Sequence, residues 1–240
     1  MIALSKRMQE NADLCFAGGT VADIGCDHGY LSIYLVQSGK KDRAIAMDVR
    51  PGPLSKAKEN VSAYCLEDKI TFRLSDGLEK LKAGEADTII IAGMGGPLME
   101  QILTKGRDVA LSCKELILQP QSDIPHFRRY LMDEGYLFLD ERCVFDEGKY
   151  YFPMRVCPPT SEFASEGYKL SPDVEFAYGG NTLQQQDETL REFLLKEKNT
   201  WEKTLEQVEA SGSEKVESRR REIQEKLSLN HKGLEYYESI

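Results

Sequence analysis

Over its first 156 residues the chain alternates short apolar runs with longer stretches whose apolar residues recur every three or four positions. The runs cover 21–25, 44–48, 70–76, 86–93 and 115–120. Most are rich in Val, Ile or Ala and close on Asp or Gly, the profile of a strand stopped by a turn. Residues 30–37, 53–64, 97–105 and 124–134 carry the helical spacing. Strands alternating with helices predict βαβ units and a parallel sheet. The unbroken run "TIIIAG" fits a strand covered on both faces. Two further extended runs, "YLFLDERCVF" and "KYYFPMRV", are joined by "DEG" and predict an antiparallel hairpin. The expected fold is α/β, a doubly wound Rossmann-like sheet ending in an antiparallel β-hairpin.

The pattern changes after Val156. Residues 157–173, "CPPTSEFASEGYKLSPD", hold three of the nine prolines and read as a linker or docking loop. From Thr182 onward the chain is polar and almost free of Gly and Pro. Leu183, Leu190, Leu194, Trp201, Leu205 and Val208 form one apolar series. Val216, Ile223, Leu227, Leu234 and Tyr237 form another. Spacings of three, four and seven predict two amphipathic helices with a narrow seam. Between them Gly212 suits a helix C′ position, Ser213 the next N-cap and Glu214 its first turn. The expected division is therefore 1–158 for the α/β domain and 159–240 for a linker and an antiparallel helical hairpin of coiled-coil type. Its seam closes on itself or on a partner, giving a monomer or a weak dimer.

Charge and cysteine usage narrow the function classes. The net charge of −9 excludes a uniformly basic nucleic-acid coat but leaves local patches open. Residues 161–240 carry −6, yet Arg219, Arg220 and Arg221 form one basic spot. The six cysteines contain no C-x-x-C pair and the three histidines are scattered, so no disulfide framework and no metal are expected. Reduced thiols suit the cytoplasm. The apolar start of "MIALSKRM" is short for a signal segment, and no apolar run approaches the ~20 residues of a membrane helix.

Ligands of open α/β sheets bind outside the carboxyl ends of the strands, so polar residues there are the candidates. The first strand ends in D-I-G-C-D-H-G. Gly25 permits a sharp turn and close ligand approach, and Gly29 opens a helix whose free N–H groups attract an anion. The second strand ends at Asp48, suited to both hydroxyls of a ribose. The third ends in "LSDGL", with Asp76 placed for an adenine amino group. The fourth ends in "AGMGG". A dinucleotide fold wants G-x-G-x-x-G, whereas Asp27 would repel a pyrophosphate. The acidic loop suits a cationic ligand such as S-adenosylmethionine, with its carboxylate at Gly29, ammonium at Asp23, ribose at Asp48 and adenine at Asp76. The candidate cofactor set is Asp23, Gly25, Cys26, Asp27, His28, Gly29, Asp48, Val49, Ser75, Asp76, Gly77, Ala92 and Gly93. A nicotinamide oxidoreductase stays open at this point.

The stretches "LSKRM" (4–8), "VADIGCDHGYL" (21–31), "AIAMDVRPGPL" (44–54), "LSDGL" (74–78), "IIIAGMGG" (89–96) and "LILQP" (116–120) resemble the TrmK family. The resemblance implies a class I methyltransferase that makes N1-methyladenosine at adenine 22 of tRNA, with S-adenosylmethionine as donor and S-adenosylhomocysteine as product. It spans nearly the whole α/β domain, and an acidic helical C-terminus fits it. The D-P-P-Y-type motif of amino-directed adenine methyltransferases is replaced by "AGMGG". Rival readings are a methyltransferase of another RNA or a small molecule, and a noncatalytic RNA-binding protein.

On this reading N1 of adenine attacks with its own lone pair and needs no strong base. Alignment and accommodation of the cation formed on the base remain. Asp27 is the leading catalytic candidate. Met94 packs against the cofactor at the reaction centre, and the absence of side chains at Gly95 and Gly96 leaves room for a ring. His28 and Tyr30 position or stack on a base, against loop-stabilising and packing alternatives. Gln119 is a pocket wall or simply a strand end. The target base must be swung out of the tRNA fold, and Lys6, Arg7, Arg128, Arg219 and Arg220 are the candidate contacts to the tRNA. Neither DNA nor a membrane is expected as a partner.

Overall fold

The apolar runs form strands and the periodic stretches form helices in a computed structural model that describes residues 1–210 and 216–238. The chain divides into two units, Met1–Lys169 and Leu170–Ile240. In the first unit the elements, in chain order, are α1 (Lys6–Leu14), β1 (Thr20–Ile24), α2 (Tyr30–Gln37), β2 (Arg43–Asp48), α3 (Pro51–Ala63), β3 (Ile70–Leu74), β4 (Thr88–Met94), α4 (Gly96–Lys105), α5 (Arg107–Ala110), β5 (Glu115–Pro120), α6 (Ile124–Asp133), β6 (Leu137–Glu141), β7 (Val144–Asp146), β8 (Lys149–Tyr151) and β9 (Met154–Cys157). Seven strands make one sheet in the order β3-β2-β1-β4-β5-β9-β6. The strands from β3 to β5 run parallel, and β9 lies antiparallel between β5 and β6. The order reverses between β1 and β4, which places the switch-point crevice of such sheets at the carboxyl ends of those two strands.

Burial explains why the centre of the sheet is so apolar. Ile89, Ile90 and Ile91 of β4 and Leu116, Ile117 and Leu118 of β5 are all fully buried. Each such side chain contributes roughly 2 kcal/mol by leaving water. The first helix, α1, has no counterpart among the helices read from apolar spacing. Ser5 caps it by accepting the Met8 N–H at 3.4 Å, and its surface is mostly polar.

The expected hairpin over 136–156 is split. Its outer part, β6 with β9, joins the main sheet. Its tip, β7 with β8, forms a separate ribbon. Pro153 has no amide hydrogen to continue the ladder. The ribbon turns on Glu147 and Gly148, both at positive φ, as a two-residue hairpin turn requires. The domain boundary also falls later than residue 158. Tyr168 and Phe138 exchange backbone hydrogen bonds of 2.8 and 3.0 Å, which keeps the stretch after Cys157 on the edge strand β6.

The second unit contains α7 (Asp173–Tyr178), α8 (Gly180–Gln184), α9 (Glu188–Ala210) and α10 (Val216–Glu235). Leu183 stands on α8 rather than on the long helix. Asp187 starts α9 by accepting the Leu190 N–H at 2.8 Å. Helices α9 and α10 run antiparallel: Gln186 bonds the Tyr236 carbonyl, Asn230 the Leu194 carbonyl, and Arg220 pairs with Glu209. Leu190, Leu194 and Ile223 are buried along the seam. The turn with Gly212, Ser213 and Glu214 lies outside the described residues. Among the described residues no helix is long and apolar enough to cross a membrane.

One expected tRNA contact becomes structural. Arg128 of α6 is 1% exposed, and its Nε donates to Glu141 Oε1 at 2.8 Å. Tyr168 Oη donates to the other Glu141 oxygen at 2.8 Å. Arg128→Leu removes the cation from a buried pair and should cost about 3–5 kcal/mol, seen as a lower urea midpoint by circular dichroism. An unchanged midpoint would contradict this role.

Candidate functional site

The site is built on the turn after β1. Gly25 at φ +74° lets the chain reverse, and the N–H groups of Gly25 and Cys26 both donate to Met47 O, at 2.8 and 2.9 Å. Asp27 also has positive φ, a conformation Asp tolerates better than most residues. Its N–H donates to Asp48 Oδ2 at 3.3 Å, and the Arg50 N–H donates to Asp48 Oδ1 at 2.9 Å. The buried Asp48 carboxylate is thereby fixed at the end of β2. Gly29, at φ +72°, sits where a Cβ would press on Ala57 of α3.

At the end of β3, Ser75 donates to Gly77 O at 3.0 Å and accepts the Lys80 N–H at 3.1 Å. These bonds shape the loop that presents the exposed Asp76. At the end of β4 the register with β5 shifts between Ala92 and Met94. Gly93 is the residue left over, at φ +79°.

Two adjoining cavities result. The larger, about 330 Å³, is lined by Asp48, Val49, Ser75, Asp76, Gly77, Met94, Leu98 and Ile102 among others. The smaller, about 250 Å³, is lined by Arg7, Met8, Asn11, Asp23, Cys26, Leu31 and Gln121. Gly25, Asp27, Ala92 and Gly93 line both. The Asp27 side chain is 63% exposed at this junction.

The charge in the smaller cavity is tuned by burial. Asp23 accepts the Ser32 hydroxyl at 2.7 Å and the Ser32 backbone N–H, yet burial pushes its pKa up to about 6, with Asp48 adding to the rise. The Cys26 thiol is pushed up by burial and then by Asp23, Asp48 and Asp27, which removes it as a nucleophile. Among the described residues no cluster of three His, Cys, Asp or Glu could hold a metal ion.

Several sequence candidates fall elsewhere. The Gly29 N–H is spent on Cys26 O at 2.8 Å, and Asp23 already occupies the first turn of α2. An anionic ligand group expected at Gly29 would meet that carboxylate. His28 lines neither cavity; its ring stacks on Tyr30, centroids 5.7 Å apart, and Tyr30 is exposed. Gly95 and Gly96 lie close to Ser122, so their missing side chains serve the approach of the 121–123 loop. Gln119 is buried and accepts from Arg7 Nη1 at 3.1 Å. Lys6 is exposed at the start of α1. Arg219 and Arg220 pair with Glu222 and Glu209 on the second unit. The sequence reading overlooked Asn11 and Gln121 of the smaller cavity. Both are polar residues beside recognisable stretches, and neither carries a spacing signal.

A sheet of this order, with acidic and glycine-rich strand ends around one crevice, defines a class I methyltransferase. A methyltransferase-domain family matches residues 4–154. The Bacillus subtilis tRNA (adenine(22)-N(1))-methyltransferase is 41% identical over 170 residues, 71% of each chain. The crystal structure of the B. subtilis m1A22 tRNA methyltransferase TrmK superposes with a TM-score of 0.83 at 32% identity, over 98% of this chain and all of that one. A Streptococcus pneumoniae protein solved in complex with S-adenosyl-L-methionine gives 0.80 at 28% identity, over 97% of this chain and all of that one. The chain belongs to the TrmK family of tRNA methyltransferases.

Gly25→Ala tests the turn. The added Cβ faces Met94 Cε and a backbone region that costs non-glycine residues about 1–2 kcal/mol. Adding Met94→Ala should recover the packing share of the loss and leave the backbone share, read as urea unfolding of both variants. Full recovery would mean the φ angle carries no cost.

Proposed function

We propose that this protein transfers a methyl group from S-adenosylmethionine to N1 of an adenine in tRNA, the position its B. subtilis relative carries in its name. The observation that carries the reading is the pair of cavities joined at Asp27. Bound there, the cofactor supplies a sulfonium methyl, an electrophile that the in-plane lone pair of N1 meets without prior loss of a proton.

The residues present fit that cofactor. Asp48, locked by two backbone N–H groups, keeps lone pairs for ribose hydroxyls. Leu98 and Ile102 offer apolar walls to an adenine, with Asp76 at its edge. The smaller cavity offers Asp23 to an ammonium and holds an amide with no partner, Asn11, among the described residues. Two buried carboxylates, Asp23 and Asp48, suit a positively charged ligand.

Asp27 lies where cofactor and target base would meet. Its carboxylate accepts from the adenine amino group and balances the charge that develops on the ring. The stacked His28–Tyr30 pair presents an exposed aromatic face for a displaced base, and Lys6 stands at the start of α1 for a phosphate. The ion pairs of Arg219 and Arg220 are about half exposed and weak enough to exchange for phosphate partners.

The test is methyl transfer to unmodified tRNA with nucleoside analysis. The native protein should yield N1-methyladenosine. Asp27→Asn keeps the left-handed backbone and should bind cofactor normally while losing roughly 10²–10³ in rate. Loss of cofactor binding would make Asp27 a cofactor ligand instead, and a native protein that binds cofactor but methylates no tRNA would overturn the substrate.

Asp23 makes cofactor binding depend on pH. An ammonium needs its ionised form, so affinity should fall as pH drops through about 6, approaching tenfold per pH unit. The ligand-free protein should gain stability over the same fall, because the folded pKa lies above the ordinary value of 3.8. Asp23→Asn should flatten the affinity profile measured by calorimetry, and a slope that persists would assign the titration to another group.

A further inference from the structure

The loop after β5 begins with a side chain that the fold leaves free. Gln121 follows Pro120, and its N–H donates to Met94 O at 2.8 Å. That bond ties it to the end of β4, beside the register shift that leaves Gly93 over. The Gln121 side chain is exposed, and its amide has no hydrogen-bond partner among the described residues. It nevertheless lines the smaller cavity together with Asp27 and Gly93. Asp23 and Asn11 of that cavity are buried, so they form its floor and Gln121 stands at its mouth. A Cβ on Gly93 would lie 3.7 Å from Gln121 Nε2 and 3.3 Å from Arg7 Nη1. The glycine thus leaves open space beside one amide and one guanidinium.

A lone pair beside an exocyclic amino group does not by itself define adenine. Cytosine presents the same pair at N3 and N4. What separates the two is N7, an acceptor on the far side of the amino group that cytosine lacks. Guanine has that acceptor but carries a carbonyl oxygen in place of the amino group. A side-chain amide complements the N6–N7 edge of adenine, its oxygen on an amino hydrogen and its N–H on N7, a pairing that neither guanine nor cytosine can give. An arginine offers donors only, so Arg7 cannot take the amino hydrogen. Gln121 supplies both halves.

We infer that Gln121 selects the target base by pairing with the N6–N7 edge of adenine while N1 faces the methyl group. This rests on the methyl-transfer reading above and deepens it by naming a residue that determines specificity. Gln121 Oε1 accepts one amino hydrogen and Nε2 donates to N7. Asp27, at the junction of the two cavities, is left the amino hydrogen on the N1 side. Both bonds of Gln121 lie away from N1, so they orient the ring without engaging the lone pair that attacks. The amino hydrogens grow more acidic as the ring turns cationic, and the bond to Oε1 strengthens with them. A free amide at the mouth of the cavity suits a ligand that arrives with the tRNA rather than with the cofactor.

The test uses the full chain and two tRNAs that differ only at the target nucleotide, adenosine or 7-deazaadenosine. The second keeps N1 and the amino group and replaces N7 by a C–H. The exchange also changes the basicity of N1, so the quantity read is the ratio of kcat/KM, native over variant, on each RNA. For Gln121→Leu this ratio should be roughly 10–100 on adenosine and about threefold on 7-deazaadenosine, where only the amino contact is lost. Gln121→Glu sets a carboxylate against the N7 lone pair, so relative to the native protein it should prefer the 7-deazaadenosine RNA. Affinity for S-adenosylhomocysteine and the thermal midpoint should be unchanged in both variants, because the side chain is exposed and unpartnered. Equal ratios on the two RNAs, or weakened S-adenosylhomocysteine binding, would overturn the inference alone. A native protein that makes no N1-methyladenosine from the adenosine RNA would overturn the methyl-transfer reading and the inference with it.

Discussion

Two amide hydrogens, those of Gly25 and Cys26, converge on the carbonyl oxygen of Met47. That shared bond fastens the turn after β1 to the last residues of β2. With the turn fixed, Asp27 reaches Asp48 through its backbone, and the two cavities open on either side of one short loop. A glycine at φ +74° is what allows both hydrogens to point the same way. The spacing between the acidic groups, and so the character of the ligand, follows from this one reversal.

The same loop gathers negative charge in a poorly hydrated place. Asp23 and Asp48 are each 5% exposed, and the thiol between them is driven further into its neutral form. Each buried carboxylate is held by hydrogen bonds from backbone or hydroxyl groups, and none of the described groups neutralises Asp23 by direct ion pairing. Such a pocket favours a cation and disfavours a pyrophosphate, which separates methyl transfer from hydride transfer on an otherwise similar sheet.

Much of this was legible beforehand, because local physics decides it. The strands announced themselves by β-branched runs that only a doubly covered sheet needs. Asp23, Gly25, Asp27, Asp48 and Asp76 were readable as strand-end residues, since topology alone puts strand ends in one crevice. What escaped depends on contacts distant in sequence. Arg128 read as a contact to the tRNA, whereas Glu141, thirteen residues on, pairs with it in the interior. Gly95 and Gly96 looked like space for a ring, whereas the loop at Ser122 fills it. Asn11 could not be distinguished in "KRMQENADL", because its isolation is a property of the folded surroundings. The break at Pro153 was written in the sequence, but the consequence of a missing amide hydrogen inside a hairpin was not drawn from it.

The tether of α1 has a consequence for synthesis. Arg7 is held by Asp146, and Glu10 accepts from Arg142 at 2.6 Å. The helix made first is thus positioned by residues made some 130 positions later. A growing chain can pair β1 with β2 early, yet it cannot finish the wall of the smaller cavity until the ribbon has emerged and β9 has slotted between β5 and β6. The α1 wall of the smaller cavity is therefore complete only once the chain has been made through the ribbon.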